Sequence, residues 1–69
     1  MGRVIWDKSE NPTKYVSDEL KIKRWQLREA IHKIKASSDL KAADRVIICA
    51  DGSVMDQNGE LVGNIFDEL

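Results

Sequence analysis

"DRVIICADGSVMDQNGELVGNIF", residues 44–66, decides the fold of this chain. Its opening half holds the apolar run 46–50, the pattern of a central strand buried on both faces. Asp51-Gly52 and Asn58-Gly59 follow. Such dipeptides favour two-residue hairpin turns, in which both central positions take positive φ. Three antiparallel strands are therefore predicted, over 45–50, 53–57 and 60–66. "RVIW", residues 3–6, is β-branched and aromatic and reads as a fourth, edge strand, with Trp6 as core or edge packing.

An isolated meander is marginal in water, so something must cover it. The periodicity predicts one main helix over 18–36. Ser17 suits its N-cap, and Asp18 and Glu19 suit the positive end of its dipole. Leu20, Leu27, Ile31 and Ile34 recur at spacings that form one apolar stripe. Asn11-Pro12 marks 7–15 as a loop, and 38–44 reads as a loop or a short helical turn. A helix followed by a meander gives an α+β fold, with the helix packed on an antiparallel sheet of three or four strands. At 69 residues one domain, 1–69, is expected; a piece of a longer chain would read the same way. A core this small is marginally stable, which makes a stabilising partner protein an expectation.

Composition excludes several classes. Cys49 is the only cysteine, so no internal disulfide forms, and it reads as a small buried hydrophobe. One Cys and one His cannot supply a structural zinc site. No apolar stretch suits a signal peptide or a membrane span, and the terminal "FDEL" carries little meaning as a retrieval tail without such a signal. Action in the cytosol follows as the default, also for a segment delivered there as part of a larger secreted toxin. The net charge of −1 hides an asymmetry: residues 1–45 carry eleven Lys and Arg against seven Asp and Glu, whereas 51–69 carry five acidic residues and no basic one. Such polarity suits an anionic partner on one side, although two solvated faces would also account for it.

On the predicted helix a second stripe runs Ile22, Trp25, Glu29, His32 and Ala36. Arg28 and Lys35 flank His32, and Arg24 and Lys21 extend the basic surface, which Lys8, Lys14 and Lys41 widen if loops bring them close. This set suits cleavage of RNA without a metal or other cofactor. A neutral His32 imidazole takes the proton from a ribose 2′-hydroxyl, Glu29 orients the ring, and Arg28 stabilises charge on the phosphoryl oxygens. Trp25 stacks on an unpaired base, while Arg24, Lys21 and Lys35 hold the RNA backbone. The plainer reading is an amphipathic cover helix with His32 at its boundary and Glu29 paired to Lys33 at i+4. Metal readings fail on spacing. Glu29-x-x-His32 occurs once, where carboxylate-bridged metal centres use two copies. Gly59 is fourth from Asp56, where an EF-hand loop wants glycine sixth.

"KRWQLREAIHKIK" together with "DRVIICADGSVMDQNGELVGNIFDEL" resembles the C-terminal domains of bacterial polymorphic toxins, the class of contact-dependent inhibition toxins and nuclease bacteriocins. The likeness covers roughly the last two-thirds of the chain and centres on Gly59-Glu60-Leu61-Val62-Gly63-Asn64. It implies a ribonuclease toxin acting in the target cytosol and neutralised by a cognate immunity protein. No catalytic residue transfers by motif, and the net acidity departs from the basic nucleases of that class. The competing expectation is a non-catalytic binding module, antitoxin-like or regulatory.

Overall fold

In a computed structural model, which describes residues 3–10, 12–41 and 43–69, the chain is an α+β fold. Its elements run β1 (Val4–Lys8), α1 (Lys14–Leu20), α2 (Arg24–Ser37), β2 (Val46–Cys49), β3 (Ser53–Met55) and β4 (Leu61–Asn64), closed by a 3-10 turn, Ile65–Glu68. The four strands form one antiparallel sheet in the order β1-β2-β3-β4, so the stretch 3–6 does lead into an edge strand. Asn11, half of the predicted Asn-Pro turn, and Ala42, within 38–44, lie outside the described residues.

Register explains which face is buried. Trp6, Ile48, Val54 and Gly63 lie opposite one another across the four strands. The first three are buried, and the helices cover this row. The glycine at its end makes room, because a Cβ on Gly63 would sit 3.1 Å from Ile34 Cγ1. Helix α2 can therefore approach the edge strand closely. The next row, Asp7, Ile47, Met55 and Leu61, points the other way. Ile47 and Met55 are half-buried there, and Leu61 is exposed. The core is completed by Val16 and Leu20 from α1, Leu27, Ala30, Ile31 and Ile34 from α2, and Val46 and Ile65.

The helical region departs from the single helix expected over 18–36. Two helices meet at residues 21–23. Lys21 takes the left-handed conformation, φ 58° and ψ 42°. Its N–H donates to Asp18 O and the Ile22 N–H to Ser17 O, the paired bonds of a Schellman helix end. Glycine usually holds that position; here lysine does. Ser17 is consequently not an N-cap. It sits inside α1, buried, with its hydroxyl donating to Lys14 O.

The turns also differ from the two-residue form. Gly52 and Gly59 have φ of 90° and 81°, whereas Asp51 and Asn58 keep ordinary negative values. In each turn the glycine N–H donates to the carbonyl three residues back, Cys49 or Asp56. The loops, 50–52 and 56–60, are thus longer than the two residues expected, and the strands correspondingly shorter. Side chains hold these turns: Asp51 Oδ1 accepts from Ser53 N, and Asp56 Oδ1 accepts from both Asn58 N and Glu60 N. In the 56–60 turn the Asp56 carboxylate is thus a turn-forming acceptor, and Glu60 joins through its backbone N–H.

Candidate nucleic-acid interface

Helix α2 buries Leu27, Ala30, Ile31 and Ile34 and turns its other side to solvent. At about 100° per residue, Trp25 and His32 form the crest of that outer side. Arg24 and Arg28 descend one flank, and Glu29 and Lys33 the other. All six are exposed, Trp25 to 57%. The two neighbouring clefts agree with this division. One, of about 490 Å³, is lined by Pro12, Thr13, Lys14, Arg24 and Arg28. The other, of about 110 Å³, is lined by Trp25, Gln26, Glu29, Lys33, Glu68 and Leu69.

Among the described residues, Lys21, Lys23, Arg24, Arg28 and Lys33 make no ion pair. Lys14 pairs loosely with Asp18 at 3.6 Å, and Glu19 is taken by Arg3 at 3.4 Å. Glu29 bonds neither His32 nor Lys33, so neither expected role for this carboxylate, orienting the ring or pairing at i+4, is formed. The α1–α2 surface thus presents five cations without an ion pair, faced by two unpaired carboxylates, Glu29 and, across the smaller cleft beside Trp25 and Lys33, Glu68. A field of this kind attracts polyanions.

The expected site residues fall into two groups. Trp25, Arg28, Glu29 and His32 share the outer side of α2, Arg24 borders it, and Lys21 lies in the turn that precedes it. Lys35 does not join them. It is buried, 8% exposed, because the chain doubles back over the end of α2 and Leu40 N–H bonds Lys35 O. Of the lysines expected to widen the surface, Lys14 reaches the Arg24–Arg28 cleft. Lys8 instead lies over the Trp6 ring, 5.0 Å from its centroid. Lys41 belongs to the loop before β2, where its N–H donates to Asp44 Oδ2.

Pro12 and Thr13 line the basic cleft and were not anticipated; they arrive there because α1 is a separate helix folded against α2. Among the described residues, no three His, Cys, Asp or Glu side chains gather as metal ligands, and no helix is long and apolar enough to cross a membrane. Cys49 is buried, and that burial, helped by the nearby Asp51 charge, raises its pKa and disfavours the thiolate. It is therefore a poor nucleophile. Comparison with family models, curated proteins and solved structures finds no match.

Proposed function

We propose that this domain binds nucleic acid through the outer side of α2 and the adjoining α1–α2 turn. The observation that carries the reading is Trp25, a large aromatic left exposed among unpaired Arg24, Arg28 and Lys33. Exposing such a ring forgoes the stabilisation its burial would bring, and a helix needing only to cover a sheet gains nothing from it. Guanidinium groups suit phosphate oxygens, and the ring suits a base or sugar face. Each free cation that neutralises a phosphate releases a counterion, so affinity should fall steeply with salt. The test is fluorescence anisotropy with labelled single-stranded RNA and duplex DNA across a salt series. Salt-sensitive binding that disappears in the Arg24→Glu, Arg28→Glu double variant supports the reading. Binding unchanged by that double reversal, or no binding to either probe at low salt, refutes it.

A second reading rests on His32, which is exposed, makes no hydrogen bond among the described residues and stands one helical turn from Arg28. In this reading the bound RNA is cleaved by its own 2′-hydroxyl with His32 as general base, in a toxin held silent by an immunity protein. The reading is supported by the exposure of the one imidazole in the sequence, the side-chain type that most often serves as a general acid or base. Expression in bacteria separates the two. Growth arrest with RNA fragments ending in 2′,3′-cyclic phosphate, lost in His32→Ala, supports catalysis. Unimpaired growth with intact RNA leaves the binding module.

A further inference from the structure

We propose that α1 and α2 act as a helix–turn–helix whose second helix enters the major groove of duplex DNA. The inference rests on the nucleic-acid reading above and names the form of nucleic acid. Three observations carry it.

The first is the geometry of the helix pair. Seven residues of α1 and fourteen of α2 are joined by a three-residue turn, Lys21–Lys23. That is the layout in which a first helix crosses the DNA backbone and a second reads bases. Val16, Leu20, Leu27 and Ile31 are buried together, the small Ser17 is buried beside them, and Ile22 anchors the turn against the core. That shared packing holds the helix that would grip phosphates against the helix that would read.

Shape is the second. The functional side of α2 is a crest with the basic cleft of Lys14, Arg24 and Arg28 at its foot, and among the described residues no aromatic side chain lines that cleft. Trp25 and His32 stand on the crest, and the flanking clefts fall away to either side. A convex helix of about 10–12 Å diameter matches a B-form major groove about 12 Å wide. The major groove of A-form RNA is too deep and narrow to admit one. Single strands are bound instead by concave basic channels carrying successive aromatic platforms. Here Trp25 is the one exposed aromatic on α2.

The charge layout is the third. Lys21 and Lys23 in the turn, and Lys14 and Arg24 beside the cleft, ring the N-terminal end of α2, where phosphates would pass on either side of an inserted helix. Arg28 lies one turn further along the outer surface. Its planar fork suits the two acceptors of guanine, and Glu29, on the other flank of the crest, suits the amino group of cytosine. Of the acidic residues in 51–69, Glu68 lines the cleft on the Glu29–Lys33 flank, opposite the Arg24–Arg28 flank.

The experiment measures binding of the full chain to three random-sequence probes of equal length, duplex DNA, duplex RNA and single-stranded RNA, at low and at physiological salt. We expect duplex DNA to bind at least ~10-fold tighter than either RNA probe, with Arg24→Ala and Lys21→Ala each reducing the salt slope by about 0.9. Selection from a random duplex pool should recover sites with a recurring guanine, a preference lost in Arg28→Ala while bulk affinity falls less. Equal or tighter binding to single-stranded RNA overturns the groove assignment but leaves the binding surface standing. Duplex RNA binding as tightly as duplex DNA also overturns it, since α2 could not then be inserted. Absence of binding to every probe overturns this inference and the nucleic-acid reading together.

Discussion

Replacing Lys21 with glycine should stabilise the protein, and the sign of that effect tests the helix break directly. Lys21 occupies the left-handed region at φ 58°, where an L-residue's Cβ crowds the following carbonyl. That conformation costs about 1–2 kcal/mol. Glycine is free of that cost but loses more backbone freedom on folding, an offset of about 0.5–1 kcal/mol. The net expectation is a gain of about 0.5–1 kcal/mol. The Lys21 side chain is exposed and makes no ion pair among the described residues, so little packing is lost. For a domain this small each kcal/mol moves the thermal midpoint by about 4–8 °C, so Lys21→Gly should melt about 2–8 °C higher. Thermal unfolding followed by circular dichroism reads the shift. If the helix instead ran unbroken through residue 21, glycine would sit in its interior and cost about 1 kcal/mol. A lowered midpoint therefore refutes the two-helix account.

Four further substitutions or modifications probe the rest of the fold and its chemistry. Gly59→Val should cost about 1–3 kcal/mol by chemical denaturation, because the site has φ 81° and open space around it, so the penalty is purely in the backbone. Asn58→Val, at a position with ordinary φ, should cost distinctly less, and equal costs would contradict the turn geometry. Ile34→Ala should destabilise by about 2–5 kcal/mol, since the side chain is fully buried and α2 approaches Gly63 through it; a loss under about 1 kcal/mol would contradict that packing. For Cys49, burial raises the folded pKa above the unfolded one, so stability holds below the ordinary thiol range and falls as pH rises through it. Alkylation should accordingly be much slower in the folded chain than in denaturant, and matching rates would contradict the burial.

Much of the β-half was legible because its signals are local. The apolar run at 46–50 and the two Asx-Gly pairs marked three strands and both reversals. The turn type was not legible, because Asp51 and Asp56 bend the loops through side-chain bonds that composition does not specify. The resemblance stretch Gly59–Asn64 has a structural account of its own. Gly59 supplies a positive φ, Gly63 admits Ile34, and Asn64 Oδ1 accepts from Phe66 N to start the closing turn. These roles would favour the same residues in any protein with this hairpin, whatever its activity.

The helix break left almost no trace. Val16, Leu20, Leu27, Ile31 and Ile34 keep phase across it, and neither glycine nor proline marks residues 21–23. Ile22, apolar but off that stripe, is the discordant residue within 21–23, and it packs against the core at the turn. Periodicity placed Trp25, Arg28, Glu29 and His32 on one side of a helix correctly, since that follows from spacing alone. It misjudged Lys35, because burial there depends on the returning loop at 38–40 rather than on the helix. The cleft at Lys14, Arg24 and Arg28 was illegible for the same reason: it exists between two helices that the pattern reads as one.

The most direct test of the binding account is a map of backbone amide shifts by nuclear magnetic resonance as duplex DNA is added to the labelled protein. The account predicts that perturbations concentrate at 13–14 and 21–33, strongest around Arg24, Trp25 and Arg28, while Ile47, Met55 and Leu61 on the opposite face of the sheet stay unmoved. Shifts centred on that open sheet face, with α2 silent, would contradict it.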